Sequence, residues 1–447
     1  MSRPIVAVVG RPNVGKSTLF NRLAGKPLAI VHDAPGVTRD RNYTDTLLGG
    51  REITLVDTGG FDPTTDDPMG QGIARHAEAA IAEADVVLCV LDGSQPPTQP
   101  DRDAVDLLRR SDKPVIYVAN KVDGTQQQWS LSDHYALGVG DLVAISALHG
   151  RHTGKLEEEI RNCLPREEQS AEAEGNENDA VPSLALIGRP NAGKSSLFNL
   201  LSGNERSLVD NRPGTTRDPV DSNILYKGRP YRIVDTAGVR RKSRVEKGVE
   251  SASVLRSIRV LNRAHVVVLV SDVTGEVADQ DARLLGLAAD RGRALVVALN
   301  KVDLMTPREV KKAKEEAAVS LHFATWTPIV PISAKTGHGV AQLMGQVSDA
   351  YARMQKRVST AELNRFFEQV VLSHPPPTRA GKAPRIYYLT QTNINPPTFV
   401  AFCSSPQHVA ESYRRFIKNR IRAQFGYEAV PLRLYFRGKD RAEEGQR

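Results

Sequence analysis

The stretch that decides the fold is Gly10-Arg11-Pro12-Asn13-Val14-Gly15-Lys16-Ser17-Thr18, which returns as Gly188-Arg189-Pro190-Asn191-Ala192-Gly193-Lys194-Ser195-Ser196. Each copy follows a short apolar run, at 4–9 or 183–187, and the first precedes a segment, 16–23, with helical spacing. A glycine-rich turn between a strand and a helix lets backbone N–H groups converge on phosphate oxygens. The lysine adds positive charge and the serine hydroxyl is a ligand for Mg²⁺. A glycine turn beside a solvated lysine would explain one copy, but two copies in the same context favour phosphate binding.

Three further motifs recur in the same order, so the chain contains a duplicated domain. Asp57-Thr58-Gly59-Gly60 returns as Asp235-Thr236-Ala237-Gly238, and Asn120-Lys121-Val122-Asp123 returns as Asn300-Lys301-Val302-Asp303. Ser146-Ala147 returns as Ser333-Ala334. The intervals between the copies far exceed the repeats of about 20–50 residues that build solenoids.

Each copy alternates short apolar runs with candidate helices, which predicts βαβ units and a mostly parallel sheet flanked by helices, an α/β fold. In the first copy the predicted strands are 4–9, 53–56, 85–91, 114–119 and 142–145, and the predicted helices 16–23, 71–83, 100–110 and 154–163. In the second copy the predicted strands are 183–187, 231–234, 265–270, 294–299 and 328–332.

We place the domain boundaries from the end of each repeat and from charge. The segments are a first nucleotide-binding domain at 1–164, an acidic flexible linker at 165–180, a second nucleotide-binding domain at 181–350 and a basic C-terminal domain at 351–447. The last segment carries 17 Lys and Arg against 7 Asp and Glu, which favours an anionic partner.

Composition excludes several other classes of protein. The three cysteines share no close spacing, which argues against a disulfide scaffold and a cysteine-rich zinc site. The sequence shows no signal-peptide layout and no apolar stretch near the roughly 18 residues that span a bilayer. We therefore expect a cytoplasmic protein without a membrane partner.

The Asn-Lys-x-Asp motif predicts which purine is bound. A carboxylate accepts two parallel hydrogen bonds from N1–H and the 2-amino group of guanine, whereas adenine offers a lone pair at N1 and no 2-amino group. Asp123 and Asp303 would make this choice, Asn120 and Asn300 would brace the loops, and the Ser-Ala pairs would complete each pocket. GTP or GDP is therefore the expected ligand. Asp57 and Asp235 would hold Mg²⁺, and Gly60 and Gly238 would offer an N–H to the γ-phosphate.

The ordered set of motifs resembles the translation-factor-related class of P-loop GTPases. Two such domains in tandem, followed by a basic C-terminal domain, resemble the family of ribosome biogenesis GTPases known as Der or EngA. The resemblance implies two tandem P-loop GTPase domains followed by a smaller α+β KH-like domain. It also implies that Thr38 and Thr216, in the two Pro-Gly-x-Thr-Arg-Asp segments, are switch threonines that reach Mg²⁺ and the γ-phosphate.

The resulting expectations name every residue of the two sites. The residues expected to act in hydrolysis are Lys16, Thr38, Gly60, Lys194, Thr216 and Gly238. The expected Mg²⁺ ligands are Ser17, Thr38, Asp57, Ser195, Thr216 and Asp235. The residues expected to contact nucleotide are Gly10, Arg11, Pro12, Asn13, Val14, Gly15, Lys16, Ser17, Thr18, Asp57, Thr58, Gly59, Gly60, Asn120, Lys121, Val122, Asp123, Ser146, Ala147, Gly188, Arg189, Pro190, Asn191, Ala192, Gly193, Lys194, Ser195, Ser196, Asp235, Thr236, Ala237, Gly238, Asn300, Lys301, Val302, Asp303, Ser333 and Ala334.

The residue after each Asp-x-x-Gly departs from the familiar GTPase scheme, which places a glutamine there to orient water. Phe61 and Val239 stand at these positions and cannot orient water. By resemblance, Asn13 and Asn191 recruit K⁺, which would supply the charge that an arginine finger gives elsewhere. The alternative is that these asparagines only brace the loops.

The C-terminal segment predicts an α-β-β-α-β order, with helices at 360–372 and 408–425 and strands at 385–391, 398–402 and 431–436. It lacks the Gly-x-x-Gly loop with which KH domains clamp RNA. The basic residues of its second helix have three interpretations: they form a solvated face, they bind RNA phosphates, or they dock onto an acidic domain of the same chain.

The predicted function is a GTP-hydrolysing switch in assembly of the large (50S) ribosomal subunit, in which a nucleotide-driven repacking of the two GTPase domains and the tail exposes or hides a surface for rRNA. The expected protein is a monomer with no DNA partner. Two alternatives stay open: a GTPase of the tRNA-modification type, and an RNA-binding scaffold in which one nucleotide site is structural.

Overall fold

The computed structural model describes residues 3–25, 43–58, 78, 80–123, 131–165, 181–203, 221–236, 250–274, 279–377 and 384–438. Most of the predicted helix at 71–83 and of the predicted linker at 165–180 lies outside these ranges. Contacts divide the chain into two compact units: unit 1 comprises Met1–Glu174 and Arg244–Arg263, and unit 2 comprises Gly175–Ser243 and Ala264–Arg447. None of the helices in the described ranges is long and apolar enough to cross a bilayer.

Unit 1 contains a six-stranded sheet in the order β2-β3-β1-β4-β5-β6, in which only β2 runs antiparallel to its neighbour. The strands are β1 Ile5–Val9, β2 Tyr43–Leu48, β3 Arg51–Asp57, β4 Val86–Asp92, β5 Val115–Asn120 and β6 Leu142–Ala144. The central strands β1 and β4 are buried along their whole length because helices cover both faces. The helices are α1 Lys16–Ala24, α2 Gln99–Arg109, α3 Ser132–Tyr135 and α4 Thr153–Cys163.

Unit 2 repeats this sheet in the order β12-β11-β10-β7-β9-β8, again with one antiparallel edge strand, β8. Its strands are β7 Ser183–Ile187, β8 Ser222–Tyr226, β9 Arg229–Ile233, β10 Val266–Asp272, β11 Ala294–Asn300 and β12 Ile329–Pro331. The helices that lie between and after these strands in sequence are α5 Lys194–Gly203, α6 Glu250–Arg263, α7 Asp279–Asp290, α8 Pro307–Ser320 and α9 Val340–Met354, of which α6 belongs to unit 1. The predicted α/β fold with two mostly parallel sheets is confirmed.

The sequence patterns missed the edge strands β2 and β8, each of which pairs with the next strand through a two-residue turn. Gly49 and Gly50 have φ values of 56° and 86°, and Lys227 and Gly228 have φ values of 49° and 74°. Two consecutive positive φ angles form the tight hairpin turn whose twist matches that of the flanking strands. The strands themselves lack a continuous apolar run because only one face of each is buried.

Helix α6 belongs to unit 1 by packing, although it follows the second Asp-x-x-Gly motif in sequence. Ile258 is fully buried in one cluster with Ala80, Ile81 and Ala84. The buried side-chain amide of Asn262 donates to the carbonyl of Arg3 at 2.9 Å. These contacts join distant parts of the sequence, so periodicity within α6 could not predict them.

The C-terminal part of unit 2 has the predicted α-β-β-α-β order. It consists of α10 Thr360–Ser373, β13 Ile386–Ile394, β14 Pro397–Cys403, α11 Glu411–Phe425 and β15 Arg433–Gly438. The sheet order is β13-β14-β15, with β14 antiparallel to β13 and parallel to β15. One face of this sheet, including Phe399, Ala401 and Phe436, packs against both helices in a single core.

This C-terminal part shares a core with the second α/β sheet. Ala429 and Val430, in the connection between α11 and β15, are fully buried in the cluster that contains the interior of the second sheet. The carbonyl of Ala429 accepts from the N–H of Leu295 at 2.7 Å, and the N–H of Ala429 donates to the carbonyl of Trp326 at 2.9 Å. Unit 2 is therefore one packed body and not two loosely linked domains.

Candidate nucleotide-binding sites

The phosphate loop of the first copy lies between β1 and α1, at the carboxyl end of the parallel strands. Gly15 has a φ of 92°, and a Cβ there would lie 2.3 Å from Nδ2 of Asn120. A Cβ on Gly10 would lie 2.3 Å from the carbonyl oxygen of Val90. Both glycines are therefore required for the loop to pass this close to the ends of β4 and β5.

Lys16 is buried at the start of α1 with its ammonium group 2.7 Å from the carbonyl oxygen of Arg11. Burial lowers the pKa of Lys16 to about 8, although Asp57 opposes this shift. The ammonium group lies in a cradle of backbone, so a polyanion such as a triphosphate fits the site and would restore the charge stabilisation that burial removes.

The hydroxyl of Ser17 donates to Oδ2 of Asp57 at 3.0 Å, which joins the phosphate loop to the end of β3. A hydroxyl and a carboxylate oxygen are hard ligands of the kind that Mg²⁺ prefers, with phosphate oxygens and water completing its shell. The residues at this place fit a Mg²⁺ ion bound together with a nucleotide.

Asn120, at the end of β5, links two loops through one buried side chain. Its Nδ2 donates to the carbonyl of Val14 at 2.9 Å, and its Oδ1 accepts from the N–H of Ala147 at 2.9 Å. The phosphate loop and the Ser146-Ala147 loop are thereby fixed relative to each other.

Asp123 and Ser146 meet at the position expected to read the base. The Ser146 hydroxyl donates to Oδ1 of Asp123 at 2.6 Å. This bond uses one carboxylate oxygen as an acceptor and orients the group, and an ionised carboxylate has room for further acceptor bonds.

The second copy reproduces these contacts around β7, β11 and α5. A Cβ on Gly193 would lie 2.0 Å from Nδ2 of Asn300, and Lys194 Nζ lies 2.6 Å from the carbonyl oxygen of Gly188. Asn300 bonds to the carbonyl of Ala192 and to the N–H of Ala334, both at 2.8 Å. Burial lowers the pKa of Lys194, as it does in the first copy.

Asp303 is exposed at the second base-reading position. A hydrogen bond from the Ser333 hydroxyl holds the pKa of the Asp303 carboxyl below its ordinary value. The carboxylate is therefore ionised at neutral pH, as acceptance of two guanine hydrogens requires.

Asp92 belongs to the first site and Asp272 to the second, although the sequence patterns did not single them out. Lys121 Nζ lies 2.7 Å from Oδ2 of Asp92, and Lys301 makes the same bond to Asp272. Burial alone would raise the pKa of the Asp92 carboxyl, but hydrogen bonds from Lys121 and Ser94 outweigh it and hold the pKa below its usual value. The lysine stems are thus pinned beside the place expected for the base.

Ion pairs also tie the second residue of each phosphate loop to a neighbouring helix. Arg11 pairs with Asp101 at 3.1 Å, and Arg189 pairs with the fully buried Asp281 at 3.0 Å. The interval from Asp101 to Asp281 equals both that from Asp92 to Asp272 and that between the two Asn-Lys-x-Asp motifs. Aligning the two copies on those motifs would have found all four aspartates.

Part of each expected site lies outside the described residues, and the predictions made there stay untested. This holds for Thr38, Gly59, Gly60, Phe61, Thr216, Ala237, Gly238 and Val239. Asp235 and Thr236 are described: Asp235 has a φ of 55°, and its N–H donates to Asp221 at 3.2 Å.

Comparison with known proteins matches nearly the whole chain. The family model described as 50S ribosome-binding GTPase matches residues 5–121 and again 183–301. The model described as the KH-domain-like C-terminal domain of EngA bacterial GTPases matches residues 357–437.

Curated relatives match at full length. GTPase Der of Thermomicrobium roseum is 42% identical over 452 residues, which cover 99% of this chain and 97% of that protein. GTPase Der of Moorella thermoacetica is 45% identical over 444 residues, which cover 99% of this chain and 100% of that protein. The chain therefore belongs to the GTPase Der family, with two GTPase domains and an EngA-type KH-like domain, as its motifs predict.

Proposed function

We propose that the protein hydrolyses GTP to GDP and phosphate at both sites, and that this cycle controls its binding to rRNA during assembly of the large ribosomal subunit in the cytoplasm. The observation that carries the proposal is the duplication of one geometry. Each copy holds a phosphate-loop lysine whose ammonium group bonds to a backbone carbonyl, an asparagine that bonds two loops, and a lysine that bonds to an aspartate. A second site with only a structural role would not need to keep the lysine in this position, so both sites are proposed to be active.

In each proposed site the lysine binds the β- and γ-phosphates and stabilises the charge that develops on the transferred phosphoryl group. The switch threonines Thr38 and Thr216 and the N–H groups of Gly60 and Gly238 hold the γ-phosphate, and they release it when the bond to the β-phosphate breaks. Ser17 and Asp57, or their counterparts Ser195 and Asp235, would hold a Mg²⁺ ion, which would neutralise phosphate charge.

Guanine selection is proposed to rest on Asp123 and Asp303. Each carboxylate accepts from N1–H and the 2-amino group, while the serine hydroxyl that bonds it fixes its orientation. ATP would leave the same carboxylate facing an acceptor without a proton, an arrangement that a hydrogen-bonding site rejects strongly.

We further propose that Asn13 and Asn191 bind K⁺ at the phosphates. Both are exposed in left-handed backbone conformations, with φ values of 66° and 64°, so their side-chain carbonyls are open to an ion. The test uses Asn13→Gly and Asn191→Gly, since glycine keeps the positive φ while removing the amide. Hydrolysis in K⁺ should exceed hydrolysis in Na⁺ at equal ionic strength in the parent, and the glycine variants should lose the difference. Equal rates in both salts for the parent would end this part of the proposal.

Action on the large subunit is supported by family membership and by the basic C-terminal part. The tRNA-modification alternative loses support because the segment beyond the duplicated domains matches an EngA KH-like domain.

Co-sedimentation with purified large subunits tests the proposal, in GDP and in a non-hydrolysable GTP analogue across a salt series. Binding should depend on the nucleotide and weaken steeply with salt. Small subunits serve as the matched control. Binding that is equal in both nucleotides, or equal for both subunits, would contradict the proposed function.

A further inference from the structure

The KH-like sheet leaves one face without a helix over it. Its strands alternate, so Phe399, Ala401 and Phe436 point into the core, while Phe402, Tyr435 and Arg437 point to the other side. Helices α10 and α11 cover only the first side. The second face is available for another molecule where the rest of unit 2 does not cover it.

Among the described residues, the rest of unit 2 contacts the end of the KH-like sheet near Arg433, and Val400, in the middle of this second face, is only 6% exposed. Arg433 donates to the carbonyl of Asp290 at 3.3 Å, and Pro396 packs against the position of Gly292. At the other end Tyr388 pairs with Phe402 across the strands, and Phe402 pairs with Arg437. We call the open set Tyr388, Phe402, Tyr435 and Arg437 the aromatic face.

The aromatic face presents flat rings to solvent. Tyr388 is 40% exposed and Tyr435 is 37% exposed, on the two outer strands of the sheet. The ring of Tyr388 stacks on that of Phe402 with centroids 4.5 Å apart and an interplanar angle of 17°. One face of the Tyr388 ring is therefore covered by Phe402, and its other face is the one on which a base could stack.

The charged side chains on the three described strands of the KH-like sheet all have one sign. Strands β13, β14 and β15 contain no aspartate or glutamate, and Arg385 and Arg437 lie at the open end. Adjacent strands are about 4.8 Å apart, so the outer strands are about 10 Å apart, which spans two to three nucleotides. Aromatic rings for bases beside arginines for phosphates form a surface suited to single-stranded nucleic acid.

The basic helix α11 offers less free charge than its sequence indicates. Arg414 and Arg422 bond to backbone carbonyls, and Arg422 also lies 4.8 Å from the ring centroid of Trp326. Burial lowers the pKa of Arg422 to about 10. The chain also lacks the Gly-x-x-Gly loop beyond residue 350. Arg415 and Arg420 stay exposed, so this helix offers contacts for phosphates, whereas the aromatic face offers rings on which bases can stack.

We propose that the aromatic face binds unpaired nucleotides of RNA by stacking bases on Tyr388 and Tyr435, with Arg437 and Arg385 on the flanking phosphates. The proposal rests on the proposed RNA-binding function and gives it a location and a mode. It commits to single-stranded RNA, because exposed rings lie beside arginines on described strands that carry no carboxylate, a pattern that suits bases linked by phosphates.

The test measures binding of a fluorescein-labelled, unstructured 12-nucleotide RNA to the full-length protein by anisotropy. The double variant Tyr388→Leu/Tyr435→Leu should raise Kd by about tenfold or more, because each stacked base contributes substantially to binding. The double variant Tyr388→Phe/Tyr435→Phe keeps both rings and should bind like the parent. Tyr135→Leu, at a position 53% exposed in unit 1, is the matched control and should change nothing.

Two further measurements separate stacking from simple charge attraction. Arg437→Gln should weaken binding and reduce the slope of log K against log salt by about 1. A duplex RNA of the same length should bind no better to the parent than to the leucine variant. If the leucine variant failed to fold, ultraviolet cross-linking of RNA to the parent protein would test the stacking instead. Stacking predicts RNA adducts on peptides that contain Tyr388 or Tyr435.

Unchanged RNA affinity in a folded leucine variant, or cross-links confined to other parts of the chain, would overturn this inference. Nucleotide-dependent binding to large subunits would survive that result, which would then point to a different RNA-binding surface. Conversely, the protein could bind the oligonucleotide through the two tyrosines and show no preference for large subunits. That result would refute the proposed function and support the RNA-binding role of the aromatic face.

Discussion

Replacing Asn120 with alanine should disable the first nucleotide site while leaving the second intact. The side chain is only 3% exposed and makes two hydrogen bonds, to the carbonyl of Val14 and from the N–H of Ala147. Alanine would leave both backbone groups without partners in a place that water reaches poorly. Each such group costs about 1–3 kcal/mol, so partial hydration of the pair leaves a total of about 2–4 kcal/mol.

This free-energy cost of Asn120→Ala should appear as weaker nucleotide affinity, as a lower free energy of unfolding, or as both. If it falls wholly on binding, Kd for GDP at the first site rises by about 30- to 700-fold. Titration calorimetry should then count one tight site in place of two. Any remainder appears as a lower unfolding free energy without nucleotide.

Two variants provide controls for Asn120→Ala. Asn300→Ala should have the mirror effect on the second site, where the equivalent bonds are both 2.8 Å. Asn419→Ala, on the exposed face of α11, should change neither quantity. A combined loss of affinity and stability below about 0.5 kcal/mol for Asn120→Ala would refute the view that this amide holds the two loops together.

Three further predictions concern packing and reactivity. Gly15→Ala should abolish GDP binding at the first site, because its Cβ would meet a side-chain nitrogen at 2.3 Å, whereas Gly50→Ala has a similar φ but open space and should lower only stability, by about 1 kcal/mol. GDP titration should show the first effect and urea unfolding the second, and retained binding in Gly15→Ala would contradict the first. Val430→Ala should lower the unfolding free energy of unit 2 by about 2 kcal/mol, although it lies far from the nucleotide motifs in sequence; a change below about 0.5 kcal/mol in urea unfolding would argue against the shared core. Cys89 is fully buried and burial raises its thiol pKa to about 12, so a thiol reagent at pH 8 should modify the partly exposed Cys163 first and Cys89 only on unfolding; rapid modification of native Cys89 would contradict its placement.

The sequence predicted the two mostly parallel sheets and the position of each phosphate loop between a strand and a helix, because short local patterns specify both. The phosphate loop needs glycines at fixed positions because backbone passes within contact distance of neighbouring strands, and that need is visible in Gly10 and Gly15. Strands buried on both faces, such as β4 and β10, appear as continuous apolar runs because no position along them meets water. Edge strands such as β2 gave a weaker signal because half of their residues face solvent.

Long-range packing could not be predicted in the same way. Nothing in the local pattern around Ala429 and Val430 shows that they complete the core of the second sheet, because the partner residues lie far earlier in the chain. The start of α11 also shifted: residues 406–408 form a short 3-10 turn and the helix begins at Glu411. This proline-led turn replaces the first helical turn that the apolar spacing indicated.

The shared core also limits which parts of the chain can move apart in the proposed conformational switch. Separating the KH-like part from the second GTPase domain would expose Ala429 and Val430 and break two backbone hydrogen bonds. The repacking expected from the sequence, which included the tail, is therefore proposed to leave this junction closed throughout the GTPase cycle.

The central claim is that two separate carboxylates, Asp123 and Asp303, each select guanine, and base-swapping variants test it most directly. In Asp123→Asn the amide offers a donor where the carboxylate offered acceptors, which suits the 2-oxo group of xanthine in place of the 2-amino group of guanine. Titration of this variant should find one GTP site and one site that has become selective for xanthosine triphosphate, and Asp303→Asn should convert the other. Two undiminished GTP sites in either variant, or equal competition by ATP in the parent, would contradict the account.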